Sequence, residues 1–401
     1  MAEPLITIAQ ARERALSAAQ RLPTESIRVQ DALDRVLAAD IRAAGDVPPF
    51  ACSAMDGYAI IAAPENGPLT VVAESRAGAP TTHELRPGEA IRISTGAAVP
   101  AGATAVVRQE DVRAGDDQIE IERPVEPGAN IRRPGEDMRA GTPVLSRGTR
   151  LSAAGLGAAV AAGVASVTVT RRPDVAVLST GDELRAAGEP LAPGEIHNSN
   201  APMLAALATR AGGRASQPRI LPDDAAATAA GLSAALSEAD VVLVTGGVSV
   251  GPHDHVKPAL ERLGVEQRFW GVALQPGKPT WFGTRGRQLV FGLPGNPVST
   301  VVTFSLFADP AIQTMLGAPP HTPPASAARL TVDVRRNPGR TQAIRVRLTA
   351  GDDGTIAATP NGPQGSHILT SLLGADALGL VAPGEGSVAS GTRIQLAYLA
   401  S

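Results

Sequence analysis

Aromatic residues are scarce: two Trp, two Tyr and six Phe in 401 residues. That leaves no series of stacking platforms, which argues against a single-stranded nucleic-acid binder. Cysteine occurs once, at Cys52, excluding an internal disulfide framework and any CxxC zinc site and fitting a reducing cytoplasm. Net charge is also small, formally −3 with a pI near 6.1. Nothing therefore draws the whole chain to nucleic acid or to an anionic membrane, and any anion site is local. Long apolar runs are missing. Leu151 to Thr170 is uncharged, but it is mostly Ala, Gly, Ser and Thr, and Gly163 divides it into a helix-like and a strand-like half rather than a membrane span. The first twenty residues carry Glu3 and Glu13 without a long apolar core, unlike a secretory signal.

Hydrophobic residues make up 43% of the chain, enough for packed cores in two to four domains. With 42 Gly and 34 Pro, many short elements and tight turns are expected. The spacing of Leu16 and Ala19, then of Leu33, Val36 and Leu37, predicts two helices between residues 4 and 40, joined at Leu22-Pro23-Thr24. After Asp46 the pattern changes to short alternating strands, an inserted β-rich domain over 46–139. Residues 140–171 return to the first region, so 1–45 and 140–171 form one helical linking domain. From 172 to 318, strands alternate with helices: strands at Asp174–Ser179, Ala215–Leu221 and Val241 onward, and helices at Asn200–Ala211, from an Asp223 cap to Leu236, Asp254–Leu263 and Val298–Leu316. This is a doubly wound α/β domain with a parallel sheet. Residues 325–401 are short strands with glycine turns, a small β-barrel or sandwich. The expected architecture is multidomain α/β.

Chemistry concentrates where three apolar runs stop at glycine. Asp240 to Gly251 is a strand buried on both faces that runs into Gly246, Gly247, Ser249 and Gly251, a candidate phosphate cradle. The same pattern recurs at Ser179-Thr-Gly-Asp-Glu183 and at Gly292-Leu-Pro-Gly-Asn-Pro297, so one shared pocket is expected. That edge also collects Asp182, Glu183, Asp223, Asp224 and Asp254. They are either helix caps, the default for Asp223, or an oxygen-only site for Mg²⁺ bridged to phosphate. Pro276-Gly-Lys-Pro279 holds Lys278 on a stiff backbone; the alternative is a solvated surface lysine. His253 and His255 have no ligand spacing. Neither a Ser-His-Asp arrangement nor a GxGxxG fingerprint is present. Asp56, Thr95 and the Arg132–Arg133 pair sit at glycine turns whose position alone separates no function from structure.

Taken together, Ser53-Ala-Met-Asp-Gly-Tyr58, Thr95-Gly-Ala97, Ile131-Arg-Arg-Pro-Gly-Glu-Asp137, Ser179 to Leu184, Gly246 to Gly251, Pro276 to Pro279, Gly292 to Ser299 and Gly365-Ser-His367 span nearly the whole chain. In this order they resemble the molybdopterin molybdenumtransferase family, the bacterial MoeA proteins and the gephyrin E domain. The resemblance implies a homodimer with a central domain of molybdopterin-binding type. It also implies insertion of molybdenum from molybdate into adenylylated molybdopterin with release of AMP, with Mg²⁺ as the cation and the upstream adenylyltransferase as a partner. It assigns activity to Asp56, Thr95, Asp137, Glu183, Asp223 and Asp254, and metal binding to Asp182, Glu183 and Asp254. Pro294, Gly295 and Pro297 line the pocket, and Lys278, Ser299, Arg345 and Ser366 match the molybdate-binding group. Some members carry a second lysine where this chain has Gln275. An adenylyltransferase of the same domain type and a non-catalytic scaffold are the competing expectations.

Overall fold

The uninterrupted run Val241–Thr245, buried at all five positions, becomes the middle strand of a seven-stranded sheet. A run without polar alternation suits a strand covered on both faces. It pairs in parallel with Asp174–Thr180 on one side and Gln288–Leu293 on the other, so that Val177, Leu243 and Phe291 lie in one row. Beyond Gln288–Leu293 the sheet turns antiparallel through Trp281–Arg285 and Glu266–Trp270. Beyond Asp174–Thr180 the expected strand over 215–221 is two short parallel pieces, Arg214–Ala215 and Arg219–Leu221. Leu178, Val242, Val244, Leu232, Leu236 and Leu260 fill one side of the core beneath the helices Ala225–Glu238 and Val256–Arg262.

This computed structural model describes residues 4–63, 67–248, 254–351 and 354–400. They form two units, Ser26–Val169 and Thr170–Ser401 with the residues up to Glu25. Among the described residues no helix is long and apolar enough to cross a membrane.

In the larger unit the expected helix over 298–316 is Pro297–Thr303, a π turn at Phe304–Ala308 and Asp309–Leu316. Pro310 explains the interruption, because it has no N–H to donate to the turn before it. Helix Ile8–Ala18 starts from a capping box between Thr7 and Gln10. It packs on Phe304–Ala308 and Asp309–Leu316, and Leu22 N–H donates to the Met315 carbonyl at 2.9 Å. The C-terminal region is a closed five-stranded barrel, since Thr341–Ala350 pairs with both Ile356–Pro360 and Ala377–Val381, and the circuit is completed by Ala327–Leu330 and Arg393–Ala397. Leu274–Gln275 of the central region adds in parallel to the barrel strand Thr341–Ala350.

The smaller unit holds a six-stranded sheet built from Ala105–Arg108, Gly57–Ile60, Glu89–Ile93, Leu69–Ser75, Gln118–Ile121 and Val112–Ala114, in that order across the sheet. The uncharged 151–170 stretch is helix Ala153–Ala161 and strand Ser166–Thr170, divided at Gly163 as the sequence predicts. A second helix near residue 33 does not form. Thr24–Arg28 is extended and Val29–Asp31 is a short 3-10 turn. Leu33, Val36 and Leu37 imitate helical spacing over a single turn, but Asp34 takes φ 60°, a left-handed conformation that stops a helix.

Candidate functional site

The carboxyl ends of the three adjacent parallel strands carry the three glycine turns, so strand order alone brings them together. Gly246 and Gly247 have φ of 86° and 62°, and a Cβ on Gly246 would lie 2.7 Å from the Thr180 carbonyl oxygen. Only glycine lets the two turns approach this closely. Trp270 Nε1 fixes the end of the turn by donating to the Val248 carbonyl at 3.1 Å. The Lys257 ammonium sits 4.4 Å from the Trp270 ring centroid. Burial pushes that ammonium's pKa down, with Asp254 opposing the shift. Ser249 and Gly251, expected in the same cradle, lie outside the described residues, as does His253.

Between the turns is a cavity of about 140 Å³ lined by Thr180, Glu183, Asn200, Thr245, Gly246 and Gly295, with Pro297 at its edge. Asn200 Nδ2 donates to Thr245 Oγ1 at 3.1 Å and to the Gly295 carbonyl at 2.6 Å. Those two acceptors fix the amide's orientation. Its Oδ1 is buried with no donor facing it, and Thr180 Oγ1 is likewise buried without a partner. A buried polar atom left unpaired costs free energy, so this cavity is built to receive hydrogen-bond donors from a ligand.

The carboxylates at the same edge divide their work. Asp223 N–H donates to Asp182 Oδ1 at 3.0 Å and Asp182 N–H to Asp223 Oδ2 at 3.4 Å, which locks two turns to each other. The helix cap is Asp224, whose Oδ1 accepts from Ala226 and Ala227 at 3.0 and 2.8 Å, and not Asp223 as the sequence predicts. Asp223 is one residue too early to reach those N–H groups. Glu183 folds back over Gly181 beside the cavity, close enough that a Cβ on that glycine would meet its carboxylate. Asp254 precedes helix Val256–Arg262. Among the described residues no three His, Cys, Asp or Glu side chains gather as a metal-holding group, so Asp182, Glu183 and Asp254 form no cage by themselves. An oxygen-only, incomplete donor set fits a hard cation completed by water and a ligand's phosphate.

Of the four residues matched to molybdate, Ser299 lies in helix Pro297–Thr303, and Ser366 and the turn before Lys278 adjoin it. Ser299 is buried in that helix. The Ser366 carbonyl accepts from Val298 N–H at 3.1 Å. The turn before Lys278, entered through a cis Gln275–Pro276 bond, packs so tightly that a Cβ on Gly277 would lie 2.6 Å from Thr303 Cγ2. Lys278 itself is exposed and is one of two lysines in the chain, Lys257 being the other. Arg345 is 0% exposed. Its guanidinium donates to Ser371 Oγ at 3.1 Å and to the carbonyls of Pro363 and Gly365 at 3.2 Å each. With only these neutral acceptors around it, burial lowers its pKa to about 10. As placed, Arg345 holds the segment bearing Ser366 through the Pro363 and Gly365 carbonyls.

In the smaller unit, Asp56 Oδ1 accepts from both Thr95 N–H at 2.7 Å and Thr95 Oγ1 at 3.1 Å. Asp137 is held through its backbone, its N–H donating to the Val47 carbonyl at 3.0 Å. Sequence reasoning missed Thr180 and Asn200. Their meaning lies in which partners they lack, and the only local signal was the polar run Asn198-Ser-Asn200 opening helix Asn200–Arg210.

Fold and cavity together define an α/β protein with a polar-lined cavity at the carboxyl ends of its parallel strands. Comparison with known proteins makes the class specific. Residues 6–163 match the MoeA N-terminal region (domains I and II), residues 176–314 a probable molybdopterin binding domain, and residues 327–399 the MoeA C-terminal region (domain IV). The chain is 36% identical to a molybdopterin molybdenumtransferase of Haemophilus influenzae over 98% of each chain. It is 39% identical to molybdopterin molybdenumtransferase 2 of Mycobacterium tuberculosis over 90% of this chain and 91% of the relative. The crystal structure of the molybdopterin biosynthesis MoeA protein of Pyrococcus horikoshii OT3 superposes with a TM-score of 0.81 at 32% identity, covering 98% of this chain and all of that one. The chain belongs to the molybdopterin molybdenumtransferase (MoeA) family, and is thus a transferase with a role in molybdenum cofactor biosynthesis.

Proposed function

We propose that the protein inserts molybdenum from molybdate into adenylylated molybdopterin and releases AMP, the last step of molybdenum cofactor formation. The observation that carries this reading is the cavity at which three glycine turns meet, lined by Asn200 and Thr180, whose Oδ1 and Oγ1 are buried without a partner. Ring N–H groups of a pterin are donors of the kind these acceptors lack. The turn N–H groups at Gly247 and Gly295 then face its phosphates, while Gly246 N–H holds the turn by donating to the Leu293 carbonyl at 3.2 Å.

Cleavage of the phosphoanhydride calls for charge neutralisation and positioning more than for a strong nucleophile. Asp182, Glu183 and Asp254 would hold Mg²⁺, and that cation would supply the neutralisation. Asp223 keeps Asp182 in place through their mutual hydrogen bonds. Lys278 and the hydroxyls of Ser299 and Ser366 take the tetrahedral molybdate dianion, with Arg345 positioning Ser366. Gln275 in place of a lysine leaves Lys278 as the one ammonium on this turn. Asp56, Thr95 and Asp137 complete the active residues. The functional division follows the lengths 1–45 with 140–171, 46–139, 172–318 and 325–401. The working form is a homodimer that receives its substrate from the upstream adenylyltransferase in the cytoplasm.

The test is incubation with adenylylated molybdopterin and Mg²⁺, with and without molybdate. AMP release and activation of a molybdenum-free apoenzyme are expected only with molybdate. Pterin binding without either product would sink the proposal.

A further inference from the structure

A second cleft, of about 470 Å³, lies where the barrel meets Gln275, and its lining includes Arg335, Arg336, Asn337, Gln342 and Ser387. Arg336 Nε is buried with no acceptor, and its guanidinium lies against the Gly384 backbone, 2.7 Å from where a Cβ would be. Asn337 orients both neighbouring amides. Its Nδ2 donates to Gln275 Oε1 at 2.6 Å and its N–H to Gln342 Oε1 at 3.0 Å. The oxygens of Gln275 and Gln342 are thereby engaged, and their NH₂ groups remain as donors. Arg335 stands on the short strand paired with Ser387. Glu385 also lines the cleft, yet neither arginine is paired with a carboxylate among the described residues.

We infer that this cleft is a second oxyanion site, taking an inorganic tetraoxyanion of the molybdate type. Two guanidiniums, two amide NH₂ groups and a hydroxyl are a donor set for a compact dianion. Pro338 is the one apolar side chain in the lining, so a nucleobase has no face to stack on. Because Gln275 opens the turn that carries Lys278, the cleft adjoins the proposed molybdate group, and its role as an outer loading site rests on that functional reading. The binding itself does not.

Molybdate, sulfate and AMP would be titrated calorimetrically into the full chain at fixed ionic strength. Two molybdate sites are expected in the wild type. In the Arg335→Ala/Arg336→Gln double variant one of them weakens by roughly tenfold or more, while in Lys278→Met it is the other that weakens. An unchanged molybdate isotherm in the double variant, or loss of AMP binding in place of molybdate binding, overturns the inference. Should that variant not fold, Ser387→Glu places a negative charge on an exposed strand of the same cleft and must weaken the same site. Loss of transferase activity's molybdate dependence with this site intact would count against the functional reading alone.

Discussion

Thr95 gives both of its donors to one oxygen of Asp56, N–H at 2.7 Å and hydroxyl at 3.1 Å. Both residues are exposed, so the contact contributes little to the unit's stability, and on the proposed function its loss is expected in activity. Asp56→Asn and Thr95→Val are each expected to lower molybdenum insertion at least about tenfold. The double variant should be no worse than Asp56→Asn, because groups acting as a unit are not additive. Additive losses in steady-state rates would separate their roles.

Adjacent aspartates give a sharper contrast. Asp224→Ala removes the helix cap and is expected to cost about 1 kcal/mol of stability, with insertion activity retained. Asp223→Ala leaves that cap intact, and its loss is expected in activity, through Asp182. Urea unfolding alongside AMP release distinguishes the two, and the reverse pattern would refute the division of labour.

Thr180→Val deletes a buried hydroxyl that has no partner. Without ligand the variant should be more stable by about 1 kcal/mol, yet bind the pterin more weakly. A loss of stability in the ligand-free protein would show that the hydroxyl is satisfied internally.

Burial depresses the pKa of the Arg345 guanidinium from its ordinary value to about 10. A cation depressed in this way costs stability wherever it is charged, so the cost is full below about pH 10 and is released as pH rises from there towards the ordinary guanidinium value. Oxyanion attraction runs the other way and is lost as the proton leaves. In a Lys278→Met background, where the lysine contributes nothing, molybdate affinity should fall as pH passes about 10. A flat profile in that range removes Arg345's charge from the site.

With two lysines in the chain, amine acylation reads the molybdate group directly. Exposed Lys278 should react ahead of Lys257, which is stacked on Trp270, and millimolar molybdate should slow Lys278 alone. Mass spectrometry giving equal rates with and without molybdate would move the oxyanion elsewhere.

Much of this was legible in sequence order. Val241–Thr245 announced a doubly buried strand because nothing polar interrupts it, and the glycines marked where three strands end. The helix expected near Leu33, Val36 and Leu37 failed because one turn of spacing carries little information against the backbone preference of Asp34. The cap was misplaced by one residue because Asp223 and Asp224 are chemically identical and differ only in reach. Asn200 and Thr180 were silent for a deeper reason. An unpaired acceptor is defined by groups from distant segments, here Thr245 and Gly295, and no local pattern encodes what a side chain fails to meet.

Helix Ile8–Ala18 leads the chain but packs on Phe304–Leu316, and Leu22 waits for the carbonyl of Met315. During synthesis, Ser26–Val169 is complete long before that partner leaves the ribosome. That helix is thus made well before the surface it docks on, and a chain stopped short of residue 304 leaves it without that surface.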